Sequence, residues 1–202
     1  VFSSTSTAHD TDVYNALTAM GHNVVIGQPV TAFTNLSVVS QYEAVYVQAN
    51  YNWGFLWDAA QQQTMIDYVN FGGGLVTAEW VYWMAGTGTY FQTLKSILPL
   101  TETTAYDNRN AITLNQNTAN SIMNAGLPPS FTTPTTNIAG VFTDTATLKS
   151  GASSFYKTSD NYEAVAGWNK GNGRVCTFSS VNGQNQLSDP NFRRLLGNSF
   201  TW

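Results

Sequence analysis

Three ionisable side chains could do chemistry in this sequence: His9, Asp10 and Glu79. Glu79 could act as a general base, above all if neighbouring tryptophans raised its pKa by desolvation. Glycoside hydrolysis would need a second carboxylate at about 5–10 Å, for which Asp10 and Asp58 are the candidates. Both aspartates could instead cap the helices that follow them, and His9 could be a loop histidine bonded to the backbone. The residues therefore allow acid–base catalysis without requiring it.

Aromatic side chains are concentrated in two stretches near these candidates. The stretches, 51–57 and 79–83, lie where two predicted strands end. Rings beside Asn, Glu and Asp suit a sugar, because rings stack on its C–H faces while polar groups bond its hydroxyls. The same rings could equally pack over the sheet edge as a second small core, or against a neighbouring domain. The expected ligand-binding residues are Tyr51, Asn52, Trp53, Trp57, Glu79, Trp80, Tyr82 and Trp83.

Alternating strands and helices must position these residues. Strands are predicted at 1–4, 22–27, 42–48 and 75–79. The first helix has an apolar face at Val13, Ala16, Leu17 and Met20, and the second begins with a capping box of Asp58 and Gln61. This order predicts right-handed βαβ units in a mainly parallel sheet with helices on both faces. The carboxyl ends of parallel strands form a crevice for ligands, so the candidate loops should meet there.

The second half of the chain is less regular. A helix is predicted at 90–98, and residues 100–150 form a Thr- and Asn-rich stretch that we expect to be an irregular or β insertion. Short strands are expected near 110–115 and 138–143. A hairpin should join 163–168 to 173–179, and Asp189 with Pro190 should start a last helix.

Composition excludes several classes of function. Of 202 residues only 10% are charged, against about 25% in an average protein, and the net charge is −4. Nucleic-acid binding is excluded because a basic surface is missing, and membrane insertion because no apolar stretch reaches about 18 residues. One cysteine allows no internal disulfide, and we expect no cofactor and no metal. A neutral surface rich in hydroxyls and amides is typical of bacterial secreted and cell-surface proteins.

Residues 1–202 are expected to form one α/β domain. The opening residues, 1–4, read as the second half of a strand rather than as a natural start. We therefore expect the chain to be a piece of a longer protein.

Three separated segments resemble the trehalose-utilisation (ThuA-like) family, which has the class I glutamine-amidotransferase-like fold, a flavodoxin-like architecture. They are the opening loop with His9 and the helix that follows it, the helix–triple-glycine–strand run 68–76, and the closing stretch 173–202. The resemblance implies a central sheet with helices on both faces.

The departures from that family are informative. Amidotransferase domains carry a nucleophilic Cys after the strand that ends at Glu79, and a His near the last helix. This sequence has Glu79-Trp80 at the first position and Gln184 in the loop before the last helix, while Cys176 lies inside a predicted strand as a small core residue. A thiol nucleophile needs a base beside it, so we do not expect amidotransferase chemistry.

Three functions stay open on the sequence. The preferred one is a non-catalytic extracellular or cell-surface module that binds a glycan or a partner domain through the aromatic cleft. The second is a ThuA-like enzyme for a carbohydrate-related substrate, with Glu79, His9 and Asp10 in the cleft. The third is a structural spacer without a ligand. Exposed aromatic faces would favour the first function, and buried ones the third.

Overall fold

The computed structural model describes residues 7–27, 35–47, 57–134 and 137–202, with the side chains of 7–9 left out. The strands are β1 (Ala44–Val47), β2 (Gly74–Thr77), β3 (Asp107–Arg109), β4 (Thr113–Gln116), β5 (Ser130–Thr132), β6 (Ile138–Gly140), β7 (Ser153–Thr158), β8 (Glu163–Lys170) and β9 (Gly173–Phe178). The α-helices are α1 (Thr7–Ala19), α2 (Leu36–Val39), α3 (Ala59–Asn70), α4 (Glu79–Gly86), α5 (Gln184–Leu187) and α6 (Pro190–Thr201), with a 3₁₀ helix at Leu94–Ile97.

The described strands form a seven-stranded sheet and a separate pair. The sheet has the order β1-β2-β9-β8-β7-β4-β5, and β3 pairs with β6. The pairs β1–β2 and β2–β9 are parallel, whereas the pairs from β9 to β5 are antiparallel. The α/β class is confirmed, and the sheet is mixed, with its parallel part next to the βα units.

Alternation along the parallel strands divides the core between the two faces of the sheet. Leu75 and Val175 pack on one face with α3 and α4, while Val76 and Cys176 pack on the other with α1, α5 and α6. Successive side chains of a strand point to opposite faces, so each strand contributes to both clusters. Helices on both faces are therefore confirmed.

Several elements lie where short sequence patterns predicted them. Asp58 caps α3 and exchanges hydrogen bonds with Gln61 in a capping box. Asp189 caps α6 with Pro190 in the first turn. The β8–β9 hairpin turns at Gly171, whose φ of 58° is one that residues with side chains rarely adopt.

Three local predictions were wrong within the described residues. Residues 22–27 belong to no strand, because a β-prone run becomes a strand only beside a partner. The predicted helix at 90–98 is reduced to the 3₁₀ helix, since Phe91 has a φ of 52° that interrupts helical geometry. The strand predicted to reach Glu79 ends at Thr77, and Glu79 begins α4. The strand predicted at 1–4 lies outside the described residues.

Candidate functional site

The carboxyl ends of β1, β2 and β9 lie at one edge of the sheet because these strands run parallel. The amide of Ala78 donates to the Val47 carbonyl at 3.3 Å, and the amide of Glu79 donates to the Ser180 carbonyl at 3.3 Å. The segments that leave the three strands are thus held together by backbone hydrogen bonds. This is the edge where an open α/β sheet forms its ligand crevice.

The strand β6 passes directly beside the exit of β9. The Val141 amide donates to the Ser179 carbonyl at 2.8 Å, and the Val181 amide donates to the Ala139 carbonyl at 3.1 Å. The insertion expected at 100–150 therefore contributes to the enclosure of this edge, which no local signal in the sequence indicated.

Glu79 is the first residue of α4, and its side chain is fully buried. Neither carboxyl oxygen forms a hydrogen bond with the described residues. Desolvation raises the pKa of Glu79 from 4.5 to about 8. Glu79 is therefore mostly protonated at neutral pH, when a carboxylic acid can donate as well as accept a hydrogen bond.

Further buried polar groups follow β9, and the sequence analysis did not select them as site residues. Ser179, Ser180 and Asn182 are buried, and the Ser180 hydroxyl donates to Asn182 Oδ1 at 3.2 Å. Ser179 Oγ and Asn182 Nδ2 form no hydrogen bond with the described residues. The signal for them was available, because they follow a predicted strand just as Glu79 follows β2.

Asp10 lies in the first turn of α1 and is buried. Burial raises the pKa of the Tyr46 phenol, and the charge of Asp10 raises it further. The Asn182 side chain, which lies beside that phenol, lowers the same pKa. Burial is the cause of the raised pKa of Glu79, with no contribution from a charged neighbour. The charge of Asp10 thus raises the pKa of Tyr46, whereas desolvation raises that of Glu79. The His9 side chain lies outside the described part of the chain.

Two of the expected sugar-binding aromatics are core residues. Trp57 is buried and packs edge-on against Phe91, with ring centroids 5.9 Å apart. Tyr82 is fully buried, and desolvation raises the pKa of its phenol above the usual range. Neither ring offers a face to a ligand in this structure. Tyr51, Asn52 and Trp53 lie outside the described residues.

The other two expected aromatics, Trp80 and Trp83, are partly buried against the core and lie beside a third aromatic residue that was not predicted. The Trp80 ring packs edge-on against Trp83, with centroids 5.8 Å apart at 81°, and against Tyr106, with centroids 5.8 Å apart at 57°. Trp80 and Trp83 are partly buried, and Tyr106 is 50% exposed. We call these three residues the aromatic patch. Tyr106 belongs to the Thr-rich segment after residue 100, which no motif singled out.

Cys176 lies in the core of β9 as predicted. It is fully buried, and desolvation raises the pKa of its thiol above the usual range, so the reactive thiolate does not form at neutral pH. Within the described residues no three His, Cys, Asp or Glu side chains are grouped as metal ligands.

A cleft lies at the opposite end of the sheet. It has a volume of about 400 Å³ and is lined by residues that include Leu17, His22, Tyr42, Glu43 and Phe200. These residues lie near the amino end of β1, far along the strand direction from Glu79. None of the expected site residues is among those that line it.

None of the helices in the described part of the chain combines the length and the apolar character that crossing a membrane requires.

Solved structures share this fold at low sequence identity. A protein described as ThuA-like from Bacteroides uniformis has a TM-score of 0.73 and 12% identity, covering 100% of this chain and 88% of that one. A ThuA-like protein from Parabacteroides merdae has a TM-score of 0.66 and 14% identity, covering 96% and 84%. These likenesses confirm a ThuA-like fold.

A larger enzyme also contains a region of this fold. The β-galactosidase from Rahnella sp. R3 has a TM-score of 0.64 and 17% identity, covering 94% of this chain but 26% of the enzyme. No protein-family model matches the sequence, and no curated protein matches it.

Proposed function

We propose that this protein is a non-catalytic carbohydrate-binding module with a ThuA-like fold, and that the aromatic patch contacts the glycan. The observation that carries the proposal is the packing of Trp80 against both Trp83 and Tyr106 at the surface. Rings held by one another lose little conformational freedom on binding, so they provide stacking area at small entropic cost. A ring that is half exposed, as Tyr106 is, keeps a face for the C–H groups of a sugar.

Polar groups beside the patch suit the hydroxyls of a neutral glycan. Asn108 and Thr104 are exposed on either side of Tyr106. Asp107, the residue after Tyr106, accepts a hydrogen bond from Arg109 Nε at 2.8 Å and forms an ion pair with it. A surface of amides, hydroxyls and paired charges binds an uncharged ligand without leaving an unpaired charge desolvated.

The structural likeness to part of a β-galactosidase supports a carbohydrate context and suggests galactosides as the first ligands to try. The low charge of the chain supports a secreted or cell-surface location. The module would then act beside other domains of a longer protein. A neighbouring domain seated on the aromatic patch is the alternative occupant.

The test is a calorimetric titration with galactose, lactose, cellobiose and xylo-oligosaccharides. We expect saturable binding by the wild type and about tenfold weaker binding by Trp80→Ala, because a stacking contact of about 1.4 kcal/mol is lost. Phe71→Ala is the matched control, since Phe71 is a 74% exposed ring at the other end of the sheet. No binding of any sugar by the folded wild type, or equal losses in both variants, would refute the proposal and leave a spacer or a domain-binding module.

A second candidate function is an enzyme that uses Glu79 as a proton donor. The raised pKa of about 8 favours it, because a general acid must hold its proton at the working pH. Full burial of the Glu79 side chain counts against it. Release of nitrophenol from a panel of nitrophenyl glycosides, abolished by Glu79→Gln, would establish this function in place of the first.

A further inference from the structure

The cleft at the amino end of β1 takes no part in the functions considered above. It has a volume of about 400 Å³, within the range of about 300–1,000 Å³ that is usual for small-molecule sites. Four parts of the chain line it: the last turn of α1, the run 22–27, residues 41–44 at the start of β1, and Phe200 of α6. These side chains surround one space, so the chemistry of the lining defines what the cleft can hold.

Hydrogen bonds to neighbouring elements hold part of the lining in place. The Glu43 carbonyl accepts from the Gly74 amide of β2 at 2.9 Å. The Tyr42 carbonyl accepts from the Tyr68 hydroxyl of α3 at 2.9 Å. Because the backbone is fixed at these positions, little of its freedom is lost when a ligand binds, which lowers the entropic cost of binding.

The fixed charge on this lining is negative. Glu43 is exposed, and it forms no ion pair with any described residue. The described residues that line the cleft include no Lys or Arg. A carboxylate without a counter-ion attracts a cation and repels an anion, so the lining favours a positively charged ligand.

Two helix ends add to this negative potential. Leu17 lies in the last turn of α1 and Phe200 in the last turn of α6, so both helices end beside the cleft. The carbonyl groups at the end of a helix carry about half a negative charge, and neither last turn contains a basic residue that would neutralise it. The helix ends and Glu43 therefore favour the same sign of ligand charge.

Rings and aliphatic groups supply much of the remaining lining. Tyr42 and Phe200 contribute partly buried rings, and Leu17 contributes an aliphatic side chain. Aromatic rings attract organic cations and also pack against apolar groups. Arg174 lines a smaller hollow that shares Phe200 with the cleft, so a cation is favoured beside Glu43 rather than on that side.

We propose that this cleft binds a small organic cation, in which an ammonium or guanidinium group is attached to an aromatic or apolar body. The cationic group lies beside Glu43, and the body packs against Tyr42 and Phe200. The proposal does not rest on glycan binding, because no residue of the aromatic patch lines the cleft. The two sites can therefore be tested separately.

The experiment is an NMR titration of the isotope-labelled chain with 2-phenylethylamine and with its neutral analogue 2-phenylethanol. It is done at pH 7.5, where carboxylates of ordinary pKa are ionised and ordinary imidazoles are mostly neutral. We expect saturable shifts at the amides of Leu17, His22 and Ala44, and about tenfold tighter binding of the amine than of the alcohol. Added salt should reduce the affinity for the amine only.

Glu43→Gln should weaken binding of the amine about fivefold and leave binding of the alcohol unchanged, because it removes the charge and keeps the shape. Asp144→Asn is the matched control, since it removes a negative charge from an exposed position in the loop after β6. It should change neither affinity. Trp80→Ala should also leave amine binding unchanged, which separates the cleft from the aromatic patch.

Three results would overturn the proposal. They are no saturable binding of the amine, equal affinities for the amine and the alcohol, and shifts that avoid the residues of the cleft. Equal losses in Glu43→Gln and Asp144→Asn would overturn it as well, since net charge alone would then explain the preference. None of these results changes the oligosaccharide titrations of Trp80→Ala, so this site and the proposed function fail independently.

Discussion

Replacing Glu79 by Gln should stabilise the protein, and the gain should increase with pH. Gln has nearly the shape and the hydrogen-bonding groups of a protonated Glu, but it cannot ionise. The substitution therefore removes one property only, the charge that Glu79 acquires at high pH in a fully buried position.

The magnitude follows from the pKa of Glu79, which is 4.5 as an ordinary glutamate and about 8 in the folded protein. Between these values the folded state holds a proton that the unfolded state has lost, so the free energy of unfolding falls as pH rises. The fall is complete above about pH 8 and amounts to ~5 kcal/mol, at 1.36 kcal/mol for each pH unit. Relative to the neutral Gln, wild-type Glu79 costs ~1 kcal/mol at pH 5 and ~4 kcal/mol at pH 8.

The assay is urea unfolding of wild type and Glu79→Gln at pH 5 and pH 8. We expect the stability difference between the two proteins to widen by ~3 kcal/mol over this range. Glu43→Gln is the control for the change in net charge, because Glu43 is an exposed glutamate just before β1. Parallel pH profiles for wild type and Glu79→Gln would refute the reasoning. They would mean that Glu79 is ionised in the folded protein and has a partner.

Further substitutions test the fold that holds the site. Gly173→Ala should destabilise by ~1–3 kcal/mol in urea unfolding, because the added Cβ would overlap the backbone carbonyl of Gly73, and an unchanged midpoint would contradict this close approach. Asp58→Ala should cost ~1 kcal/mol through loss of the α3 cap, and Asp58→Asn, which keeps a capping oxygen, should recover most of it. Phe178→Ala should lower the free energy of unfolding by ~3–5 kcal/mol, because it opens a cavity beside Phe192. A loss below ~1 kcal/mol in urea unfolding would contradict this and would mean that the core closes around the cavity.

Much of the fold could be predicted because its signals are local. The capping box of Asp58 and Gln61, the Asp189–Pro190 start of α6 and the glycine turn at Gly171 each involve residues within a few positions of one another. Such signals act on the backbone whatever surrounds them. The β-prone run 22–27 shows their limit, since a strand also needs a partner that no local pattern specifies.

The candidate site could be predicted only in part. Glu79, Trp80 and Trp83 were predicted as site residues because they follow a strand, and parallel strands bring their carboxyl ends together. Residue type did not show which of the aromatics face inward. Trp80 and Tyr82 are two positions apart on α4, yet Trp80 is partly buried and Tyr82 is fully buried.

By itself the sequence determined much of the alternation of helices and strands and the place of Cys176 in the core. Each of these is a property of residue identity or short-range spacing. Tertiary structure alone decided that Tyr106 joins Trp80 from a segment more than twenty residues away, and that Glu79 is sealed beside the end of β9. The physical reason is that exposure and pKa depend on what covers a side chain, and the covering residues come from distant parts of the chain.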